Sequence, residues 1–149
     1  MSLLRSMLCP QLIGLAVALA VVLVVHNSVY AGWNCDEETD SDGVPCDVDN
    51  CLVVPNASQA DSDLDGYGNA CDADYDNTGV VGTTDFSTFK QAWNTSAPTY
   101  NEQVDHDCTG VVGTTDFSTF KQLWNAAPGP SGLACAGTPP CPAVAHGCP

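Results

Sequence analysis

Asp74, Asp76 and Thr78 set three oxygen-bearing side chains at alternate positions of one short stretch. Gly79 follows, at the point where a tight turn needs a residue without a Cβ. Val80 then offers a backbone carbonyl, and Asp85 closes the stretch with another carboxylate. Counted from Asp74, the oxygens fall at about positions 1, 3, 5, 7 and 12 of a loop, with glycine at 6, the pattern that wraps a hard divalent cation such as Ca²⁺. The competing reading is an Asp-rich turn that holds no metal.

The stretch occurs twice. Residues 74–94 recur as 105–125, a period of 31, and the copies differ only at Tyr75/His106, Asn77/Cys108 and Ala92/Leu123. The second copy therefore presents Asp105, Asp107, Thr109, Gly110, Val111 and Asp116 in the same order. A repeat of this kind is one structural unit used twice. Two further loops appear upstream when a glycine is again set at the sixth position. One has Glu38, Asp40, Asp42, Gly43, Val44 and Asp49; the other has Asp61, Asp63, Asp65, Gly66, Tyr67 and Asp72, with Asn69 between. Four loops imply about four Ca²⁺.

The elements that position these oxygens differ between the two halves. After each downstream loop, aromatic residues fall at helical spacing: Phe86, Phe89 and Trp93, then Phe117, Phe120 and Trp124. Asp85 and Asp116 sit in the first turn of each expected helix, where a carboxylate suits the helix dipole. The spacing predicts two short helices whose aromatic stripes bury against each other. Residues 33–72 show no such periodicity, so cations would organise them in place of a hydrophobic core.

Two families carry these patterns. The string DNCLVVPNASQADSDLDGYGNACD closely resembles the thrombospondin type 3 repeat. That resemblance implies a row of Ca²⁺ ions wrapped with little regular secondary structure, and a disulfide between Cys51 and Cys71. Cys46, displaced from the usual place, has Cys35 as an alternative local partner. The repeated string D-x-D-x-T-G-V-V-G-x-x-D-F-x-x-F resembles the duplicated calcium loop and helix of type I dockerins. That resemblance implies a cohesin-like receptor, facing Thr83, Thr84, Lys90 and Gln91 in the first copy and Thr114, Thr115, Lys121 and Gln122 in the second.

The remaining sequence sets the context. Arg5 precedes an apolar run at 12–25, and Val29-Tyr30-Ala31 suits a signal-peptide cut, so residues 1–31 are expected to be removed. The apolar run is short for a membrane span of about 20 residues. All 18 acidic residues lie beyond the cut, opposed only by Lys90 and Lys121, which leaves the exported chain at −16. Such a charge argues against nucleic acid as a partner, and bound cations would offset it. Eight cysteines remain (Cys35, Cys46, Cys51, Cys71, Cys108, Cys135, Cys141 and Cys148), an even number that reads as disulfides in an exported chain. Cys135, Cys141, His146 and Cys148 mimic a zinc set, but export favours disulfides there as well. Asn56 and Asn94 begin glycosylation sequons. No nucleophile–base pair or phosphate loop is present.

The expected fold is therefore small, mostly irregular, and stabilised by calcium and disulfides, with two short helices in a loop–helix pair. Its expected parts are a leader (1–31), thrombospondin type 3-like loops (32–72), a dockerin-like module (73–127) and a Pro/Gly/Cys-rich irregular tail (128–149). The expected function is calcium binding outside the cell without catalysis. The chain is either a structural or surface-interaction protein with an extracellular or cell-surface partner, or a module that docks onto a cohesin-like receptor.

Overall fold

A computed structural model of the chain describes residues 40–142, 147 and 148. The expected leader, Cys35, Glu38 and His146 lie outside the described residues. Asn34–Pro149 form one compact unit. Its described residues are mostly irregular, with two α-helices, α1 (Thr83–Ala92) and α2 (Thr114–Leu123), and one 3₁₀ turn, Glu102–Val104.

The two helices start and stop by identical devices. Gly82 and Gly113 are the N-caps, in extended backbone. Each cap N–H donates to a carboxylate in the first helical turn, Gly82 N to Asp85 Oδ2 and Gly113 N to Asp116 Oδ2, both at 2.7 Å. This is the carboxylate half of a capping box, and it fixes the loop-closing aspartate relative to the helix. The helices end because Trp93 and Trp124 turn to ψ 129° and 128°. Asn94 and Asn125 follow in the left-handed region at φ 61° and 62°, which asparagine tolerates better than most residues.

The two copies hold each other reciprocally. Val81 N donates to Ala126 O (2.9 Å) and Val81 O accepts from Asn125 N (3.0 Å), so the first loop is tied to the end of α2. Val112 N donates to Thr95 O and Val112 O accepts from Asn94 N, both at 3.0 Å, tying the second loop to the end of α1. Both valines are buried. Around them lies one core of Ala73, Val81, Phe89, Ala92, Val104, Val112 and Phe120, with the Phe89 and Phe120 rings 5.2 Å apart. Burying each of these phenylalanines is worth roughly 1.5–3 kcal/mol.

The aromatic stripe is only partly a core, which corrects the sequence expectation. Phe89 and Phe120 are 2 % exposed, but Trp93 and Trp124 are 43 % and 44 % exposed. The physical reason is that both helices stop one residue early for the pattern. Each tryptophan still packs on the stripe, Trp93 against Phe89 (5.8 Å) and Phe117 (6.0 Å) and Trp124 against Phe120 (5.7 Å) and Phe86 (6.3 Å), but it sits at the helix end, where its ring stays open to solvent. The linker at 95–104 also contains the 3₁₀ turn, which delivers buried Val104 to the core.

Residues 40–72 contain no described helix or strand. Their backbone donors are instead met by aspartate side chains two residues upstream. Val44 N donates to Asp42 Oδ1, Cys51 N to Asp49 Oδ1, Tyr67 N to Asp65 Oδ1 and Asp74 N to Asp72 Oδ1, at 2.7–2.9 Å. These local side-chain bonds compete with regular structure and here replace it. Cys51 and Cys71 are joined at 2.06 Å and close the second loop. Constraining that span of the unfolded chain is worth about 3 kcal/mol in the loop-entropy account. Cys46 is also disulfide-bonded.

The tail is irregular but pinned. Pro130 O accepts from Leu52 N (2.9 Å), Gly132 N donates to Asp49 O (2.8 Å), and Gly129 N donates to Cys71 O (3.1 Å). Further on, Gly137 N reaches Asp65 O (2.8 Å) and Cys141 N reaches Leu64 O (2.6 Å). Residues 129–141 thus strap the upstream loops. Gly132 lies so close that a Cβ there would stand 1.7 Å from Cys46 O. Cys135 pairs with Cys141, and Cys148 reaches back to Cys108 in the fourth loop.

Candidate metal centres

In chain order the loops begin near Asp40, Asp61, Asp74 and Asp105. Every sixth-position glycine is left-handed: Gly43 at φ 90°, Gly66 at 91°, Gly79 at 92° and Gly110 at 80°. The turn turns the chain back on itself, and the carboxylates converge. Four groups have oxygens within 4.8 Å of one another: Asp40, Asp42 and Asp49; Asp61, Asp63 and Asp65; Asp74, Asp76 and Asp85; Asp105, Asp107 and Asp116.

The third and fourth loops share one geometry. Asp74 Oδ2 accepts from Gly79 N (2.5 Å) and Asp74 Oδ1 from Thr78 N (3.2 Å). Asp105 Oδ2 accepts from Gly110 N (2.8 Å) and its Oδ1 from Thr109 N (3.1 Å). Asp85 Oδ1 reaches back to Asp76 N at 3.2 Å, and Asp116 Oδ1 to Asp107 N at 3.4 Å. One closing carboxylate therefore joins helix cap and loop. Val80 and Val111 expose their side chains (48 % each), as a position that contributes only its carbonyl permits. The hydroxyls of Thr78 and Thr109 turn differently: Thr78 Oγ1 donates to Asp74 Oδ1, and Thr109 Oγ1 to Val111 O.

The first and second loops are more buried. Asp49 Oδ1 accepts from Cys51 N and Gln59 Nε2, both at 2.9 Å, while its Oδ2 is buried without a hydrogen-bond partner. An ionised oxygen in that position costs several kcal/mol unless a cation compensates it. This orphaned atom, set against Asp40 and Asp42, is where the fit to a hard cation is clearest. In the second loop, Asp61 accepts from Leu64 N (2.8 Å) and Gly66 N (3.0 Å). Asp72, expected to close that loop, stands outside the group of three and caps Asp74 N instead.

Crowded carboxylates raise one another's proton affinity. Burial, and then the charges of Asp63, Asp61 and Asp74, push Asp65 up to about 7. Burial pushes Asp61 up to about 6, with Asp63 adding to it. Burial and the Asp65 charge hold Asp72 well above the usual carboxylate range. Burial also raises Asp74 and Asp105. Exposed Asp76 goes the other way, held down by the Thr78 hydroxyl. Like charges packed in this way favour a bound cation or a bound proton.

Several residues also link the loops to one another, contacts that sequence reasoning missed. Asp63 Oδ2 accepts from Asn77 Nδ2 in the third loop (2.9 Å) and from Gln103 Nε2 before the fourth (2.6 Å). Asn69 Nδ2 donates to Ser62 Oγ (2.8 Å) and Glu102 O (3.0 Å). His106 is buried between Asn69 O and the Tyr75 hydroxyl. The signal for the last pair was present: Tyr75 and His106 occupy one of the three positions at which the copies differ. The eight positions implied as receptor contacts, Thr83, Thr84, Lys90, Gln91, Thr114, Thr115, Lys121 and Gln122, are all exposed.

Fold and site together define a class: a disulfide-stapled chain of acidic loops whose clustered carboxylates could hold hard cations. Comparison with known proteins narrows it, since residues 30–59 and 60–86 match the family model of the thrombospondin type 3 repeat. The chain is similar to cartilage oligomeric matrix protein of Bos taurus, 51 % identical over 60 residues, covering 34 % of this chain and 8 % of that protein. It is also similar to thrombospondin-4 of Xenopus laevis, 42 % identical over 60 residues (34 % and 6 %), and thrombospondin-3a of Danio rerio, 39 % over 66 residues (36 % and 7 %). The chain thus spans less than a tenth of the length of these relatives. No solved structure matches it significantly. The match to residue 86 takes in the whole first copy of the repeated loop, and the dockerin resemblance finds no support in these comparisons.

Proposed function

We propose that this chain is a secreted, non-catalytic calcium-binding protein in which about four Ca²⁺ ions stiffen a surface-interaction or structural module. The observation that carries the reading is the fourfold recurrence of one arrangement: a left-handed glycine at the turn and three converging carboxylates. The ligands we assign are Asp40, Asp42, Val44 O and Asp49, with Glu38 upstream; Asp61, Asp63, Asp65 and Tyr67 O; Asp74, Asp76, Thr78, Val80 O and Asp85; and Asp105, Asp107, Thr109, Val111 O and Asp116. Names such as cartilage oligomeric matrix protein place the similar proteins in a matrix, and the disulfides suit the same oxidising setting. No helix among the described residues is long and apolar enough to cross a membrane. The partner in this reading is an extracellular or cell-surface protein.

Calorimetric titration of the chelator-stripped protein with CaCl₂ is the test. About four equivalents should bind, with affinities in the micromolar to millimolar range of sensor and extracellular sites. Zero uptake, or binding that Mg²⁺ reproduces equally, would remove the proposal.

A further inference from the structure

Phe86 and Phe117 both line two adjoining hollows over α1 and α2, of about 520 Å³ and 190 Å³. Trp124 and Lys121 wall the larger one, Trp93 and Lys90 the smaller. The lysine ammonium groups stand over the ring faces, Lys90 Nζ 5.3 Å from the Phe86 centroid and Lys121 Nζ 5.0 Å from that of Phe117. Together the hollows form an apolar trough whose two shared rings each carry a lysine ammonium. Isolated exposed apolar residues are ordinary, but a contiguous aromatic trough marks an interaction surface.

The charge distribution selects the occupant. Lys90 and Lys121 are the only basic side chains from residue 40 onward, apart from histidine, and both stand on this trough. At about 0.15 M salt the Debye length is only about 8 Å, so an occupant senses the lysines it touches more than charges on the far side of the molecule. A second copy laid trough to trough would oppose lysine with lysine. A sugar would meet donors in the two ammonium groups but, for its own hydroxyl protons, Thr83 as the one side-chain acceptor among the lining residues. A helix with an apolar stripe and flanking carboxylates satisfies both the rings and the amines, by the helix-in-groove mode.

We propose that the trough between α1 and α2 docks an acidic amphipathic segment of a protein partner. Its apolar side chains lie on Phe86 and Phe117, and its carboxylates meet Lys90 and Lys121. The assignment does not depend on how many calcium ions the loops hold.

The test uses two tryptophan-free synthetic helical peptides with the same Leu/Phe stripe, one flanked by Glu and one by Lys. Each is titrated into the full calcium-loaded chain, followed by tryptophan fluorescence. The Glu peptide should bind at least about tenfold more tightly than the Lys peptide. In K90E/K121E, whose calcium uptake serves as the folding control, the preference should invert. Equal binding of the two peptides, or no binding of either at millimolar concentration, overturns the proposal. So does a dimer in sedimentation that the Glu peptide cannot dissociate, because a second copy would then own the surface.

Discussion

The Tyr75 hydroxyl lies 2.9 Å from His106 Nε2 and joins the second position of one repeat to the second position of the other. His106 Nδ1 sits 2.5 Å from Asn69 O, in the second upstream loop. A carbonyl only accepts, so Nδ1 carries the proton and Nε2 accepts from tyrosine. Burial lowers the His106 pKa, which keeps the ring neutral and the arrangement intact. Three loops are thereby locked through one imidazole.

Tyr75→Phe should expose the worth of that lock. It removes one hydroxyl and leaves a buried ring nitrogen without its donor. A loss of about 1–2 kcal/mol is expected from urea denaturation of the calcium-loaded protein. An unchanged midpoint would mean that the ring is held by packing alone.

Site-directed removal should count the ions. Asp74 and Asp105 each hold their loop's glycine N–H and contribute to a carboxylate group. Asp74→Ala and Asp105→Ala should each abolish one Ca²⁺ equivalent in calorimetry. Retention of full stoichiometry in both variants would show that these loops are not the binding sites.

Acid should act oppositely on the metal-free and metal-loaded protein. Asp61 and Asp65 have folded values of about 6 and about 7, above the ordinary 3.8. A raised folded value means that the native state binds the proton more tightly than the unfolded chain does. The resulting stabilisation is complete below about 3.8 and is lost as pH rises through 6 and 7. For these groups the metal-free protein is therefore more stable at pH 5 than at pH 8. Calcium competes with the same protons, so its stabilising increment should be largest above pH 7 and shrink toward pH 5. Melting curves with and without CaCl₂ at pH 5, 6, 7 and 8 measure both trends. A metal-free melting temperature that climbs between pH 5 and 8 contradicts the expectation.

The strap can be loosened at one atom. A Cβ on residue 132 would meet the Cys46 carbonyl oxygen, a backbone atom that cannot rotate aside. Gly132→Ala should cost about 1–3 kcal/mol, as overpacking does. It should also open the segment near residue 130 to limited proteolysis, read by mass spectrometry. Wild-type resistance in this variant would show that the tail is held elsewhere.

Much of the candidate site was legible because its determinants are local. Alternating Asp, a glycine at the turn and a closing Asp all sit within one loop, so spacing alone brings Asp74, Asp76 and Asp85 together. The resemblance that implied Cys51–Cys71 was equally local. What escaped was long-range. Nothing in residues 128–142 announces that Gly132 must touch Cys46, or that Cys148 would find Cys108. Trp93 continued a helical period on paper and does pack on Phe89 and Phe117, yet at the helix end its ring stays 43 % exposed. Asp72 matched the loop spacing but caps Asp74 N, because the next loop begins only two residues later.

The reciprocal ties of Val81 to the end of α2 and of Val112 to the end of α1 bear on how this sequence arose. The buried valine of each copy's loop finds its backbone partners at the end of the other copy's helix. A lone ancestral unit would have had to borrow them from a neighbouring molecule. The 31-residue period is thus also a symmetry of the fold, since what one copy offers at its helix end the other needs in its loop. Inheritance, not convergence, explains why both halves still carry the same Gly, Asp, Phe and Trp.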